Sequence, residues 1–302
     1  MKKSFVACIA AAAALCGGAA QADVLISNNS AAFGNGPIST IDFTTNTPVG
    51  SFIPDGATNC AGGSCNGRGL ALVQNQFYYT ELNGGFGASD GIHIAPFNGG
   101  AGGHDTGFAA NPIPGTGISD LAVDPNSGNL WVLAGYPGVG QAFLLNGATL
   151  ALISGPVTLQ GLNSGTDGFT VIPAGDPGAP AGAKFLANTG DAVNNYEYFD
   201  AAGNVIGGPL KVPGCGAATG ADIAPDGNSL FFECNFNSIV QTDLSFNFIK
   251  TVPIGGLGED IAVQQPFICV GAGCTSTSAP EPATLSILGA SLLGLGALRR
   301  RR

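Results

Sequence analysis

The sequence predicts an all-β body made of about five repeats of short strands. Three observations predict it. Four segments repeat the pattern x-Asp followed by an apolar run, a fifth repeats it with glycine for the aspartate, and turn residues punctuate the chain between apolar stretches. The four are Ser119-Asp120-Leu121-Ala122-Val123, Thr166-Asp167-Gly168-Phe169-Thr170-Val171, Ala221-Asp222-Ile223-Ala224 and Glu259-Asp260-Ile261-Ala262-Val263. The fifth is Arg68-Gly69-Leu70-Ala71-Leu72-Val73. From position 69 onward their spacings are 51, 47, 55 and 38 residues. Periods in this range belong to propellers and similar arrays, in which one repeat cannot bury its apolar faces alone.

Each repeat continues in the same way. After Val123, Asp124-Pro125-Asn126-Ser127-Gly128-Asn129 has turn chemistry, and Leu130 to Ala134 is an apolar strand. Gln141 to Leu145 and Ala148 to Ile153 are two more strands around Asn146-Gly147, a hairpin signal. The last full unit follows the same plan. Its turn is Asp226-Gly227-Asn228, and its strands are Leu230 to Cys234, Ser238 to Thr242 and Phe246 to Val252. Four short strands per unit make up a propeller blade.

The termini of the body fit the same scheme. Glu259 to Val263 is a first strand with no room for three successors. Residues 23–53 offer three strands without a first: Val24 to Ser27, Ile38 to Phe43 and Val49 to Ile53. Joining the two completes a fifth blade and removes an open sheet edge. A pair of β-sandwiches is the alternative architecture. The phrases Leu121-Ala122-Val123-Asp124-Pro125 and Ile223-Ala224-Pro225-Asp226-Gly227 resemble NHL and YVTN-type propeller repeats. That resemblance implies a fold and no particular activity.

Both chain ends carry sorting features. Lys2 and Lys3, an apolar stretch from Phe5 to Leu15 and the small-x-small site Ala20-Gln21-Ala22 read as a signal peptide over residues 1–22. The mature chain then starts at Asp23, after passage through the Sec translocon and cleavage by signal peptidase. At the other end, Pro280-Glu281-Pro282 is followed by an uncharged apolar segment, 283–298, and by Arg299, Arg300, Arg301 and Arg302. Sixteen residues at helical rise span about 24 Å, against a hydrocarbon core of about 30 Å. The arginines snorkel to make up part of the gap and hold their end in the cytoplasm, which leaves the body outside.

This tripartite tail, 280–302, resembles the PEP-CTERM sorting signal of Gram-negative bacteria. The resemblance implies recognition and removal by the membrane protease exosortase. It also implies a transient anchor in the inner membrane, then delivery to the cell surface or an exopolysaccharide matrix. The expected organisation is therefore a signal peptide (1–22), a propeller-like extracellular domain (23–270), a linker (271–279) and a sorting signal with a single transmembrane helix (280–302).

Composition limits the body's partners. Residues 23–279 hold four basic residues (Arg68, Lys184, Lys211, Lys250) against nineteen acidic ones, a formal net charge of −15. Such a surface repels nucleic acid and anionic lipid. Six cysteines survive processing, an even number that suggests disulfides in an exported chain. The pairing expected is Cys60 with Cys65, Cys269 with Cys274 and Cys215 with Cys234. The first two pairs enclose glycine-rich turns.

In a propeller the first strands line a central channel, so Asp120, Asp167, Asp222 and Asp260 are expected as a partial ring, with Glu259 and Ser119 beside them. Two roles compete for this ring. The carboxylates either accept backbone N–H groups of the next blade or offer hard oxygen ligands to Ca²⁺ or another ligand. Asp90, His93, His104 and Asp105 form a weaker candidate metal set. Tyr78, Tyr79, Trp131, Tyr136, Tyr196 and Tyr198 have the chemistry to stack on sugars, although strand positions favour the core. No catalytic motif is present: no G-x-S-x-G, no H-E-x-x-H and no phosphate-cradling loop. The expectation is a non-enzymatic surface or matrix protein, with an extracellular hydrolase or lyase using the channel-mouth carboxylates as the alternative.

Overall fold

The computed structural model describes residues 24–29, 38–42, 45, 47–52, 65–73, 76–83, 91–97, 105–111, 117–136, 138, 140–163, 165–190, 195–254 and 258–265. All of them lie in the first of two units, Met1–Ile268 and Cys269–Arg302. The signal peptide, Cys60, Cys269, Cys274, His104, Asp90 and the whole sorting tail with its expected helix lie outside the described residues. Among the described residues no helix is long and apolar enough to cross a membrane.

Among the described residues, twenty strands form five four-stranded antiparallel sheets. The first sheet contains β4 (Cys65–Val73), β5 (Gln76–Asn83), β6 (Gly91–Pro96) and β7 (Gly107–Ala110). The second contains β8 (Gly117–Val123), β9 (Leu130–Tyr136), β10 (Gln141–Leu145) and β11 (Leu152–Thr158). The third contains β12 (Phe169–Val171), β13 (Phe185–Asn188), β14 (Asn195–Phe199) and β15 (Val205–Lys211). The fourth contains β16 (Ala218–Ile223), β17 (Ser229–Cys234), β18 (Ser238–Asp243) and β19 (Phe248–Pro253). The fifth joins the two ends of the body: β20 (Gly258–Val263) pairs with β1 (Val24–Asn29), followed by β2 (Ile38–Asp42) and β3 (Thr47–Phe52). This is the closure expected from the missing strands.

The core explains why the sheets form a ring. The described residues form five buried clusters, one for each pair of neighbouring sheets. Successive strand residues point to opposite faces, so each inner strand feeds two of them. Leu70 and Leu72 of β4 pack toward the fifth sheet with Ala262 and Phe77. Ala71 and Val73 of the same strand pack toward the second sheet with Ile118 and Leu121. The first and fifth sheets share a cluster like any other neighbours, so the arrangement closes as a β-propeller. Inner strands buried on both faces read as continuous apolar runs, which is why the sequence repeat was visible.

The outer hairpins differ from the expected strand limits. Ala148 to Leu150 belongs to a turn rather than a strand. The Asn146 side chain accepts from the N–H groups of Ala148 (3.0 Å) and Thr149 (2.9 Å). Leu150 then takes a left-handed φ of 54°. Phe246 likewise sits in a turn at φ 63°, where Asp243 accepts from the Asn247 N–H (2.9 Å) and side-chain amide (2.8 Å). Asp200 and Asn204 repeat that exchange at 2.9 Å each. On the outer edges, Gly155-Pro156 and Gly208-Pro209 interrupt the ladders of β11 and β15 with irregular register. Proline and bulges on an edge strand block pairing with another chain.

Candidate functional site

The channel ring arises from a recurring backbone irregularity. The register shifts at Gly69 in β4, at Ser119 in β8, between Ala218 and Ala221 in β16, and between Gly258 and Ile261 in β20. A bulge places one extra residue in a strand and re-aims its side chain. Here it turns Asp120, Asp222 and Asp260 toward a neighbouring blade.

These three aspartates act in the same way. Asp120 accepts from its own neighbour Leu121 N–H (2.6 Å) and from Phe169 N–H on the third sheet (2.5 Å). Asp222 accepts from Ile223 N–H (2.8 Å), Val263 N–H on the fifth sheet (2.8 Å) and the Thr170 hydroxyl on the third (3.0 Å). Asp260 accepts from Ile261 N–H (2.7 Å) and Leu70 N–H on the first sheet (2.7 Å). Each carboxyl thus ties one blade to another. Buried polar groups need such partners, since an unmade bond there costs about 1–3 kcal/mol.

Asp167 is different. Its carboxylate pairs with the Arg68 guanidinium, and Arg68 also reaches Glu259 at 2.8 Å. Arg68 is 2% exposed, so one of the body's four cations is buried among its acids. Arg68 and Glu259 lie in the neighbouring first and fifth sheets, and Asp167 precedes β12 of the third, so the Arg68–Asp167 pair joins blades that are not adjacent. Sequence reasoning recognised Arg68 only as the residue before Gly69. The available signal was its place as the one cation in the x position of the repeat.

The ring is electrostatically unusual. Burial, then the neighbouring Asp260 carboxyl, holds Asp120 well above the usual carboxylate range. Burial pushes Asp260 up to about 7, and Asp222 to about 7 in spite of its three donors. At Asp167 burial raises the carboxyl, while Arg68 pulls it back. Tyr196 is buried beside them. Burial, then the charges of Asp120, Asp167 and Asp260, keeps its phenol protonated. Ser119 donates its hydroxyl to Leu133 C=O at 3.2 Å and takes no part in the ring's hydrogen bonds. Among the described residues no group of three or more His, Cys, Asp or Glu side chains is arranged to hold a metal ion.

The other candidates fall elsewhere. His93 Nδ1 lies 2.8 Å from Asp105, whose other oxygen accepts from the Tyr79 hydroxyl at 2.7 Å. His93 stacks on Tyr79 with ring centroids 4.7 Å apart. Tyr78, Tyr79, Trp131, Tyr196 and Tyr198 are all buried, so their rings pack the blade interfaces and do not face solvent. Cys215 and Cys234 form a disulfide with Cα atoms 5.5 Å apart, as expected. Cys65 starts β4, and its side chain lies outside what is described.

Comparison with known proteins adds the delivery route. Residues 278–302 match the PEP-CTERM protein-sorting motif. The tail therefore marks an exported protein sorted by exosortase. No curated protein sequence matches the chain. Among solved structures, the body is similar to a chain of a nidogen/laminin complex at 12% identity and TM-score 0.47, covering 80% of this chain and 97% of that one. Hydrazine synthase of Kuenenia stuttgartiensis is similar at 11% identity and TM-score 0.43, with 80% and 74% covered. A protein of unknown function from Desulfotomaculum acetoxidans DSM 771 is similar at 15% and 0.40, with 78% and 67% covered. At these TM-scores the likenesses carry no functional inference.

Proposed function

We propose that this chain is a non-enzymatic propeller, delivered to the cell surface or extracellular matrix by its tail, where it acts as a binding or structural module. In this reading a signal peptide, 1–22, opens export through Sec. The tail then anchors the body in the inner membrane until exosortase releases it, and an exopolysaccharide matrix is the destination. The observation that carries the non-enzymatic part is the use made of the channel carboxyls. Asp120, Asp222 and Asp260 spend their oxygens on backbone N–H groups of neighbouring blades, and Asp167 spends its own on Arg68. Carboxyls committed to holding the fold are poorly placed to meet a substrate. A hydrolase, by contrast, needs an acid pair open to sugar and water.

A glycan array, run beside a panel of generic glycosidase and lyase substrates, tests this. Saturable glycan binding without turnover is expected. Turnover lost in Asp120→Asn but kept in the exposed control Asp226→Asn would establish the hydrolase or lyase instead.

A further inference from the structure

The third blade carries a longer connection than its neighbours. Between β12 and β13 the chain runs from 172 to 184, against 124–129 in the second blade and 224–228 in the fourth. Long connections without regular structure are costly to order and are commonly functional. In repeat proteins such an insertion maps to one face, often the binding one. This one encloses a cavity of about 340 Å³, at the small end of ligand pockets. Among the described residues, the lining comes from this segment alone.

The segment is braced along its length. Pro173, Pro177 and Pro180 fix φ at three points. Asp176 N–H donates to Pro173 C=O at 3.3 Å and Ala183 N–H to Pro180 C=O at 3.0 Å, which closes a turn at each end. Ile172 and Ala179 pack on the cluster shared with the fourth blade. A Cβ at Gly178 would lie 3.2 Å from Leu244 Cβ, and one at Gly207 would lie 3.0 Å from Pro180 Cγ. The loop is therefore wedged between the outer strand of its own blade and the outer turn of the next. A cavity formed in advance spares a ligand the cost of ordering it.

The lining is chemically one-sided. Ile172, Pro173, Pro177, Pro180 and Ala181 offer hydrocarbon, and Asp176 is its charged side chain. Asp176 Oδ1 accepts from Gly178 N–H at 2.9 Å. Its Oδ2 has no hydrogen-bond donor among the described residues. The missing side chain at Gly227 leaves room for that oxygen, since a Cβ there would stand 2.6 Å from it. Lys184 follows the loop, but its ammonium lies 2.8 Å from Asp124 and is not in the lining. Burial, then the charges of Asp176 and Asp243, raises the nearby Tyr198 phenol, so the field on this side is negative. An anion is disfavoured here. A compact ring with an apolar face and one ammonium donor fits.

We propose that this loop is the glycan contact of the propeller and that it takes an amino sugar. The pyranose ring lies with its C–H face on the prolines, and its ammonium donates to Asp176 Oδ2. The body's net charge of −15 draws a cationic polymer toward the pocket. This rests on the reading of the chain as a binding module for glycans, and it names the sugar.

The test is calorimetric titration of the full-length chain in mild detergent at pH 6, with a glucosamine oligomer and with the same oligomer N-acetylated. The glucosamine oligomer is expected to bind about tenfold more tightly, and to weaken as salt is raised. Asp176→Asn keeps the acceptor for Gly178 N–H and loses the charge, so affinity should fall about tenfold or more. Ala181→Phe fills the cavity from an exposed position and should abolish binding, with a melting temperature within about 2 °C of wild type. Equal binding of the two oligomers would overturn the amino sugar, whether or not the variants fold. Undiminished binding in both variants would overturn the site. The glycan array separates these failures from that of the underlying reading. A neutral glycan bound equally by wild type and both variants overturns the pocket alone, whereas a wild type that binds no glycan overturns both.

Discussion

Arg68 and Asp167 are 99 positions apart in the chain, yet their side chains form a buried ion pair across the propeller channel. The same guanidinium holds Glu259, so a single side chain links the first, third and fifth sheets. Removing one partner of a buried pair leaves charge uncompensated, which costs about 3–5 kcal/mol. Arg68→Met should therefore lower unfolding stability by about that amount, seen as a shift in the denaturant midpoint. A midpoint within error of wild type would remove Arg68 from the account.

The tyrosine hydroxyls give a smaller and sharper test. Tyr198 donates to Leu244 C=O in the outer turn of the fourth sheet at 2.6 Å, and both residues are buried. Tyr198→Phe keeps the ring and orphans the carbonyl. The expected loss is about 1–2 kcal/mol. Because this contact joins the third and fourth sheets, amide exchange in the 243–247 turn should rise with it.

Much of this architecture was legible in the sequence. The repeat around Asp120, Asp167, Asp222 and Asp260, the turn at Asp124 and the split fifth blade all follow from local chemistry and period, and the sheets form accordingly. The Asn146 and Asp243 turns were written in the sequence too, as side chains that cap their own following N–H groups, but strand propensity on either side obscured them. The bulges were not legible. A bulge is set by what the strand packs against, and Ser119 or Gly220 carries no local mark of it. Arg68 shows the same limit: its partners lie on sheets far away in sequence. The tyrosines looked suited to sugar stacking, but tertiary burial decided their role.

The disulfide closes a loop between positions 215 and 234. Crosslinking residues 19 apart restricts the unfolded chain and should contribute about 3 kcal/mol. A Cys215→Ala/Cys234→Ala double variant should melt lower by several degrees, and the wild type should fall equally on reduction.

Acid should weaken the contact at Asp124. Burial works against Asp124, yet its hydrogen bonds from Lys184 Nζ (2.8 Å) and Asn126 N–H (2.9 Å) hold its carboxyl below the usual 3.8. A depressed carboxyl stabilises above its unfolded pKa and loses that contribution as pH falls through the folded value. Lys184→Met should therefore flatten the low-pH limb of the stability curve and leave the alkaline limb unchanged.

The channel carboxyls are structural staples, and Asp222 tests that most directly. It accepts three hydrogen bonds that join the third, fourth and fifth sheets. The decisive measurement is the melting temperature of Asp222→Ala against wild type at pH 6. Three orphaned donors predict a loss of about 3 kcal/mol or more, and a fall of roughly 6–12 °C. An unchanged melting temperature, together with loss of any measured binding or turnover, would make Asp222 a working site residue and contradict the account.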